Sequence, residues 1–551
     1  MSREQKFWGW GEPGAEPGLP DHGAGLLREW LGVSGAVVAT PVALADVRMR
    51  APVVSAELRA ALERAVGAEH VRDDREIRVL RAAGRSYLDL LALRAGAAED
   101  APDVVVAPAD HVQTEAVLRT CAEAGAAVIP FGGGTSVVGG VAPERGGRET
   151  AVSLDLGRLD AFIDVDERSR LARVGGGLRL PELDHALGAH GLRLGHVPQS
   201  YEWATVGGCA ATRSAGQAST GFGRFDELVA SLRCATPAGE LATLTGPASA
   251  AGPDLRALVL GSEGTLGAIT ELVLRVRPVA AERRYEAWLL RSFEAGFEAL
   301  RALAQAELAP DVTRLSDAAE TRTTLALAGA RGTAWRASGI ALRALGYRPG
   351  CLLVTGWEGE QGAVARRRAP AARMLRSAGA VPLGRGPGEA WRAARFTGPH
   401  LRDALLDRGV LVETLETATT WTGLAALHGA VRAALEQALQ ATPPIVGCHV
   451  SHLYPDGASL YFTVLARQDP EDPAGQWRAA KLAAGHAIVA AGATITHHHA
   501  VSRDHVAWIE AEHGRLGIEL LHAAKERCDP RGVMNPGKLL PSGPGAASRS
   551  G

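Results

Sequence analysis

Three consecutive histidines, His497, His498 and His499, follow a strand-like segment at residues 493–495. In an extended backbone, His497 and His499 would face one side and His498 the other. One histidine on an apolar face is usually a core residue, but three in a row are hard to bury because each ring needs partners for two nitrogens. No carboxylate or cysteine lies at metal-ligand spacing within this run. Proton transfer near neutral pH and binding of an anionic substrate are therefore favoured over metal binding, and no metal ligand is predicted.

Tyr454 is a second candidate for proton transfer, in the segment SHLYPDGASLYFT at residues 451–463. A turn at residues 455–457, followed by a strand, would present this tyrosine at a strand edge. A tyrosine there is more often a packed aromatic residue. To act as a base, its phenol pKa must fall from about 10, which requires neighbouring cations. Arg314 and Arg402 are the candidates, although either arginine alone is more often part of a surface ion pair.

A glycine-rich loop, PFGGGTSVVGG, occupies residues 130–140 after a short apolar run. Glycines allow consecutive backbone amides to approach and bind phosphate oxygens, although a glycine run after a strand is often only a tight turn. The spacing fits neither a P-loop nor a Rossmann fingerprint. Two later segments rich in small and hydroxyl residues, at 199–221 and 261–269, strengthen the prediction of a diphosphate cofactor.

The elements around these loops alternate between strand and helix. Residues 103–107 have the pattern of a strand, Asp110 can cap the helix that follows, and Gly125 ends that helix before the next strand. A second lobe is indicated by a helix that begins at Pro181 and by alternating apolar residues over 271–277. Both lobes are therefore predicted to be α+β.

The composition is that of an ordinary globular protein. Of the 551 residues 46% are apolar, and the formal net charge of −2 gives no sign of nucleic-acid binding. The length predicts about two to four domains. Six cysteines without a C-x-x-C pair indicate reduced thiols. Neither a signal peptide nor a run of the ~20 apolar residues that span a membrane is present, so a cytoplasmic protein is predicted, with peripheral contact at a membrane surface left open.

The three loop segments together resemble the FAD-binding (PCMH-type) domain of the vanillyl-alcohol oxidase superfamily. The resemblance implies a two-lobed α+β domain, with the first loop on the pyrophosphate and the later two around the ribityl chain, the adenine and the edge of the flavin. The first loop contains no histidine, so non-covalent FAD is expected. The implied cofactor-binding residues are Pro130, Phe131, Gly132, Gly133, Gly134, Thr135, Ser136, Gln199, Ser200, Thr205, Gly207, Gly208, Thr212, Arg213, Ser214, Ala215, Glu263, Gly264, Gly267 and Ile269.

The rest of the chain is divided by its strand and helix patterns. Aromatic residues near the N-terminus are expected to dock an arm on the body, and residues 73–94 to form two helices, interrupted at Gly84, that pack on the FAD-binding domain. The predicted regions are an N-terminal arm and helical region (1–98), the FAD-binding domain (99–279), an α+β substrate-binding cap (280–500), and a C-terminal segment (501–551) that returns to the FAD-binding domain and ends in a disordered tail.

Beyond these loops, the chain resembles the alkyldihydroxyacetone-phosphate (alkylglycerone-phosphate) synthase family, the FAD enzymes of ether-lipid synthesis. The matched segments are KFWGWG at residues 6–11, DDREIRVLRAAG, PFGGGTSVVGG, HVPQSYEWATVGG, GSEGTLG, DVTRL, LRDALLDRGVLVETLETATTW, SHLYPDGASLYF and the histidine triplet. The family implies a transfer without net oxidation. Acyl-dihydroxyacetone phosphate loses a proton and attaches to the flavin's reactive ring nitrogen, the fatty acid leaves, and a long-chain fatty alcohol takes its place as an ether.

Residue roles follow from the same resemblance. Tyr454 would donate and accept the proton, and Arg402 would bind the substrate phosphate. Arg314 and the histidine triplet would complete the active site. A guanidinium binds phosphate bidentately, and a cationic pocket would lower the phenol pKa. A homodimer is also expected.

The chain departs from the family at several positions. Ala500 replaces the usual glycine after the triplet, Ala83 replaces a frequent histidine, and the segment DPRGVMNPGKLL is closer to hydroxyacid-oxidising relatives. An FAD-dependent D-2-hydroxy acid oxidase or dehydrogenase is therefore the alternative enzyme, although this chain has HVSHLYPDGASLYF where those relatives carry an H-x-G-D-G-N-x-H type segment. A flavin-binding protein without catalysis is the third hypothesis.

Overall fold

The computed structural model describes residues 4–14, 18–327, 347 and 350–541. Its strands are β1 (Val71–Arg72), β2 (Val104–Val106), β3 (Ala127–Phe131), β4 (Ala151–Asp155), β5 (Phe162–Asp166), β6 (Leu171–Gly175), β7 (Leu192–Arg193), β8 (Val229–Thr236), β9 (Gly239–Ala242), β10 (Ala268–Arg275), β11 (Arg277–Pro278), β12 (Glu282–Leu290), β13 (Val312–Ser316), β14 (Cys351–Gly359), β15 (Val381–Gly384), β16 (Val410–Thr420), β17 (Ile445–Leu453) and β18 (Gly457–Arg467).

The described helices lie between and after these strands. They are α1 (Gly23–Leu31), α2 (Ala56–Val66), α3 (Arg75–Leu80), α4 (Tyr87–Arg94), α5 (His111–Ala124), α6 (Leu180–Gly188), α7 (Val206–Ala211), α8 (Ser219–Phe222), α9 (Phe225–Leu228), α10 (Arg256–Val259), α11 (Phe293–Gln305), α12 (Ala318–Leu327), α13 (Ala363–Ser377), α14 (Arg385–Ala394), α15 (Gly398–Leu406), α16 (Leu424–Ala438), α17 (Pro473–Ala490) and α18 (Ile509–Cys528). None of these helices has the length and apolar character needed to cross a bilayer.

The first sheet has the strand order β1-β2-β4-β3, and β2, β4 and β3 run parallel. The side chain of Asp110 accepts a hydrogen bond from the amide of Gln113 at the start of α5, and Gly125 ends that helix with a φ of 68°. Both helix signals are therefore confirmed. The strands that α5 connects are not neighbours, because β4 lies between them and pairs with both. The glycine loop leaves this sheet at the carboxyl end of β3.

The second sheet is antiparallel, with the order β5-β6-β10-β8-β9. Its central strand β10 buries the alternating Leu272 and Leu274 that the sequence singled out. Helix α6 begins at Leu180 and has proline in its first turn, as predicted. Together the first two sheets form the two α+β lobes that carry the loops.

The cap contains a seven-stranded antiparallel sheet in the order β15-β12-β14-β13-β17-β18-β16. Helices α11, α13, α16 and α17 cover its apolar face and contribute to one large hydrophobic cluster. Strands β17 and β18 form a hairpin whose turn contains Tyr454. The neighbouring strands β13 and β16 carry Arg314 and Glu416.

The two predicted helices of the N-terminal region are confirmed as α3 and α4, on either side of Gly84. Arg78 of α3 donates to the carbonyl oxygen of Pro102 at 2.7 Å, so this helix packs on the first sheet. Helix α4 packs differently from our expectation, because Tyr87 and Leu90 enter the hydrophobic cluster of the cap. Tyr87 stacks on Trp477 of α17, with ring centroids 6.4 Å apart.

The C-terminal segment returns to the first sheet, as predicted. Met534 forms a parallel bridge with Val128 of β3. The Asn535 side-chain amide donates to the carbonyl oxygens of Gly140 and Glu263 at 3.2 and 2.7 Å, which joins the glycine loop to a second loop. The predicted disordered tail lies outside the described residues from position 542 onward.

Candidate active site

The histidine triplet lies over a buried glutamate, Glu416 of β16. Its carboxylate accepts hydrogen bonds from the backbone amides of all three histidines, at 3.0 Å from His498 and 2.7 Å from His499, and from the Thr496 hydroxyl. The backbone curls around this carboxylate instead of extending, so neighbouring rings meet. His497 Nδ1 lies 3.0 Å from His498 Nδ1, and the His498 and His499 ring centroids are 4.7 Å apart. The triplet is not an extended strand, so the alternation of rings that an extended backbone would give does not occur.

Burial makes the triplet neutral near pH 7. It lowers the pKa of His498 to about 4 and of His499 to about 4, and it holds the pKa of His497 well below its usual value. Burial raises the pKa of Glu416, but the adjacent histidines and the hydrogen bond from Thr496 lower it by more, so the net pKa lies well below its usual value. The site thus holds an ionised carboxylate under three neutral imidazoles.

The phenol of Tyr454 contacts the first histidine of the triplet directly. Tyr454 Oη lies 2.6 Å from His497 Nε2. Because the imidazole is neutral, we assign the phenol as the donor and Nε2 as the acceptor. The remaining proton of His497 is then on Nδ1, which donates to His498 Nδ1 at 3.0 Å. Tyr454, His497 and His498 therefore form a continuous hydrogen-bonded path for a proton.

The cation beside Tyr454 is not one of the two arginines expected from the sequence. Burial raises the pKa of Tyr454 to about 12, and the charge of Arg224 is the largest influence that lowers it. The phenol pKa is therefore raised, not lowered as a role as base would need, and neither Arg314 nor Arg402 is among its main influences. Without ligands, Tyr454 is protonated at neutral pH.

Arg314 joins the site through an intermediate histidine. Its Nη1 donates to His449 Nε2 at 3.1 Å and its Nη2 donates to Glu320 at 2.8 Å. His449 Nδ1 donates to the same carboxylate at 2.9 Å. The His449 ring stacks on Tyr461 at 4.9 Å, and Tyr461 meets the His499 ring edge at 5.4 Å. The rings of His449 and Tyr461 thus lie between Arg314 and the triplet.

Arg402 is a buried cation with unused donors. Its side chain is 8% exposed, and its Nη1 donates to the carbonyl oxygen of Arg85 at 3.0 Å. Its Nε and Nη2 have no hydrogen-bond partner among the described residues. Burial lowers the pKa of His499, and the charge of Arg402 lowers it further, which places the guanidinium near the triplet. Two buried N–H donors without acceptors are costly unless an anion occupies them.

A fourth histidine, His452, packs against the triplet, with its ring centroid 4.9 Å from that of His497 and 5.6 Å from that of His498. Ligand atoms of these three residues lie within 4.8 Å of one another, close enough for a metal ion. However, His452 Nε2 lies 2.9 Å from the carbonyl oxygen of Gly216 and must be protonated, while its Nδ1 accepts from the Ser451 hydroxyl at 2.8 Å. His497 Nε2 accepts from the phenol. A metal would have to displace these bonds, and the absence of a metal site stays a prediction.

The glycine loop offers a row of free backbone donors. In the described part of the chain, no acceptor receives the amides of residues 132–136. A Cβ at Gly133 would lie 2.0 Å from the carbonyl oxygen of Trp203, and one at Gly132 would lie 2.4 Å from the Thr205 hydroxyl, so only glycine fits at either position. This close approach brings the first and second loop segments together, and the free amides fit a diphosphate.

The third loop meets the first at Gly264, where a Cβ would lie 2.8 Å from Pro130, and it meets the second where the amide of Glu263 donates to the carbonyl oxygen of Ala211. Several predicted side chains in these loops have structural partners instead of free polar groups. Thr205 caps α7, Thr212 donates to the carbonyl oxygen of Gly208, Arg213 donates to that of Leu260, and Ser214 bonds His196. The other predicted cofactor residues lie on the same three segments, namely Pro130, Phe131, Gly134, Thr135, Ser136, Gln199, Ser200, Gly207, Gly208, Ala215, Gly267 and Ile269. Their contacts with FAD stay predictions.

Glu263 was predicted as a cofactor residue, but its carboxylate faces the histidine segment. It accepts from the backbone amides of Val501 and Ser502 at 2.9 and 2.8 Å. Burial raises its pKa to about 7. Glu263 therefore ties the end of the triplet to the third loop.

Sequence reasoning missed Glu416, Arg224 and His452. Glu416 lies in the matched segment LVETLETATTW, where a glutamate within a buried strand was the available signal. His452 lies two residues before Tyr454 and could have been grouped with it. Arg224 follows the second loop segment by three residues, and no local pattern connects it with Tyr454.

Comparison with known proteins gives a consistent result. Residues 102–245 match the family described as FAD binding domain, and residues 279–539 match the family described as FAD linked oxidases, C-terminal domain. The chain is 32% identical to the alkyldihydroxyacetonephosphate synthase of Dictyostelium discoideum, over 86% of this chain and 79% of the relative. It is 30% identical to that of Trypanosoma brucei brucei, over 90% and 82% respectively. A solved structure of an alkyldihydroxyacetonephosphate synthase matches with a TM-score of 0.83 and 27% identity, and covers 97% of this chain and 99% of the other.

Proposed function

Because the chain belongs to the alkyldihydroxyacetonephosphate synthase family, we propose that it exchanges the acyl group of acyl-dihydroxyacetone phosphate for a long-chain fatty alcohol, without net redox change. It is an FAD-dependent enzyme with the two-lobed FAD-binding domain and α+β cap that the sequence predicted. The observation that carries the proposed chemistry is the buried contact between Tyr454 Oη and His497 Nε2.

Arg402 is the residue we assign to the substrate phosphate. Its guanidinium is buried near the triplet, and its Nε and Nη2 lack acceptors among the described residues. Phosphate oxygens would satisfy both donors in the fork geometry that arginine prefers. The neutral histidines would donate further N–H hydrogen bonds to the phosphate and would not add a positive charge beside Arg402.

Tyr454 and His497 are assigned to proton transfer. The phenol can give its proton to His497 Nε2, and the resulting phenolate can accept a proton from the substrate carbon. His498, in contact with His497 Nδ1, can delocalise the charge that then develops on the imidazole. When bound, FAD supplies a ring that can accept and return an electron pair at the substrate carbon.

The glycine loop would hold the FAD diphosphate through the free amides of residues 132–136. The loop contains no histidine, so we propose that FAD is held without a covalent bond. Acid precipitation of the purified protein tests this, because dissociable FAD remains in the supernatant, whereas covalently bound FAD stays in the pellet.

The activity test uses FAD-loaded protein, acyl-dihydroxyacetone phosphate and labelled hexadecanol. We expect label in an alkali-stable ether lipid. Tyr454→Phe should keep the flavin absorbance and lower ether formation by about 100-fold or more, because it removes the transferable proton. Tyr347→Phe is the matched control, since the Tyr347 hydroxyl donates to the carbonyl oxygen of Gly379 instead of the site. Unchanged activity in Tyr454→Phe would remove Tyr454 from the mechanism.

The alternative, a D-2-hydroxy acid oxidase or dehydrogenase, is less supported, because the synthase relatives extend over most of the chain. Steady reduction of a dye by lactate or glycolate, with no ether product, would favour it. A protein that binds FAD and turns over neither substrate would match the third hypothesis. The homodimer and the peripheral membrane contact also remain proposals, testable by sedimentation and by flotation with phospholipid vesicles.

A further inference from the structure

The two oxygens of Glu416 divide the donors of the triplet between them. Oε1 accepts from the amides of His498 and His499 at 3.0 and 2.7 Å and from the Thr496 hydroxyl, whereas Oε2 accepts from the amide of His497. Hydrogen bonds of this kind favour the ionised form of a carboxylate. The path of the backbone around Glu416 therefore sets the directions in which the three rings leave it.

The strand that carries Glu416 is fixed on both sides. Along its whole length β16 pairs with β18, where Tyr461 lies opposite Glu416 and contacts the His499 ring at 5.4 Å. The Thr417 hydroxyl donates to the carbonyl oxygen of Thr494 at 2.6 Å, which ties the segment before the triplet to the same strand. The carboxylate and the residues that it binds are thus held by one sheet.

The charged groups that act on the triplet come from several elements. Glu416 of β16 supplies the negative charge, and the cations are Arg224, Arg402 of α15 and Lys481 of α17. Neutral imidazoles also surround the triplet, because burial lowers the pKa values of His449, His452 and His505. Among the described residues that influence the triplet most, Glu416 is therefore the one anion.

Little water reaches this carboxylate. Glu416 is 3% exposed, and the cavity that it lines together with Lys481 and His505 has a volume of about 10 Å³, room for about one water molecule. His498 Nδ1 lies 3.4 Å from Glu416 Oε2, and His499 Nδ1 lies 3.9 Å from Oε1. Weak screening at such distances makes the interaction between the carboxylate and a charged imidazole strong.

We propose that Glu416 is a positioning residue of this site, which orients the triplet through its backbone amides and balances the positive charge that His497 acquires from Tyr454. The inference rests on the roles given to Tyr454 and His497 in the proposed function. In the forward step, the O–H bond of Tyr454 breaks and an N–H bond forms on His497 Nε2. The reverse transfer restores both groups, and Glu416 remains ionised throughout. A buried carboxylate behind an imidazole can both orient the ring and stabilise its protonated form.

The first test measures the orientation of the triplet without any substrate. Glu416→Gln keeps the size of the side chain and one oxygen, but its NH₂ group cannot accept from the amide of His497. Hydrogen exchange in the FAD-loaded protein, followed by mass spectrometry in a peptide that covers residues 494–500, should therefore become about tenfold faster. Glu413→Gln is the matched control on the same strand, because Glu413 accepts from Trp477 and Thr414 instead, and it should leave this exchange unchanged.

The second test is kinetic and separates charge from shape. Glu416→Gln should lower kcat for ether formation by about tenfold or more while KM changes less, because the charge is needed only when His497 carries the proton. Glu416→Asp keeps the charge and changes the shape, so it should retain more of kcat than Glu416→Gln. A kcat that is equal to that of the unmodified protein in Glu416→Gln, or lower in Glu416→Asp than in Glu416→Gln, would overturn the proposal.

Both tests remain decisive if Glu416→Gln does not fold. Glu416→Asp then takes its place, because its shorter side chain withdraws the carboxylate from the amides of the triplet. Exchange in the same peptide should become faster and kcat should fall, and no change in either would overturn the proposal. Faster exchange in a variant of a protein that makes no ether lipid would support the positioning role and refute only the proposed function.

Discussion

At the scale of single residues, the segment after the triplet is held in an unfavourable backbone conformation. Ala500 has a φ of 78° and Ser502 a φ of 44°, in the left-handed region that favours glycine. Glu263 accepts hydrogen bonds from the backbone amides of Val501 and Ser502, which holds the segment in place. The strain is therefore offset by a buried carboxylate that links the triplet to the FAD-binding domain.

Ala500→Gly should stabilise the protein by about 0.5 kcal/mol, because relief of the left-handed strain slightly exceeds the extra entropy of glycine in the unfolded chain. Ala487→Gly in the interior of α17 is the control, and it should destabilise the protein by about 1 kcal/mol. Urea unfolding midpoints of the two variants measure the difference. Destabilisation by both variants to the same extent would show that Ala500 carries no strain.

At the scale of elements, residues of the N-terminal arm bind α15, the helix that carries Arg402. Asp403, next to it on α15, accepts from the amide of Trp10 at 2.8 Å and lies 3.5 Å from Lys6 Nζ. Arg85 Nη2 donates to the carbonyl oxygen of Lys6 at 2.8 Å, and the carbonyl oxygen of Arg85 accepts from Arg402. The arm therefore positions the guanidinium that we assign to the substrate phosphate.

Asp403→Ala should raise the KM for acyl-dihydroxyacetone phosphate by about tenfold and change kcat less, because it releases the arm and loosens Arg402 without touching Tyr454. Steady-state kinetics with varied acyl substrate measure the effect. Asp407→Ala is the matched control at the end of the same helix, where Asp407 pairs with Arg94. A fall in kcat at constant KM would contradict the positioning role of the arm.

At the scale of the whole molecule, the contact between the cap and the FAD-binding domain buries a cluster of neutral histidines. Burial lowers the pKa values of His196, His452 and His505 to about 3, in addition to those of the triplet. In the unfolded chain these side chains take up protons below about pH 6.5. Because the folded state binds those protons only at much lower pH, folding becomes less favourable as the solution is acidified.

The protein without substrate should therefore lose stability between about pH 6.5 and pH 4, by about 1.4 kcal/mol per pH unit for each such histidine. Glu263 acts in the opposite direction, because its raised pKa of about 7 stabilises the fold at low pH and that contribution is lost as the pH rises through 7. One glutamate cannot offset several histidines. Urea unfolding at pH 7.5, 6.0 and 5.0 tests this, and an unfolding midpoint that does not fall on acidification would contradict it.

Local sequence determined the elements and the family. The cap of α5 at Asp110, its end at Gly125, the glycine loop after β3 and the hairpin turn at Tyr454 each depend on neighbouring residues, and each was predicted from the sequence. Motif resemblance added the FAD-binding fold and the synthase family. The domain boundaries and the roles of the site residues stay predictions.

Only the tertiary structure decided which groups meet in the site. His452 bonds the carbonyl oxygen of Gly216, Glu416 lies under the triplet, and Tyr87 of α4 packs in the core of the cap. Each contact joins residues separated by at least 80 positions, and no hydrophobic period or turn signal extends that far along the chain. Burial sets the charges of the histidines and the phenol, and it arises only where the cap packs against the FAD-binding domain. A pKa depends on the medium around a group and not on its neighbours in sequence, so the sequence alone does not determine these charges.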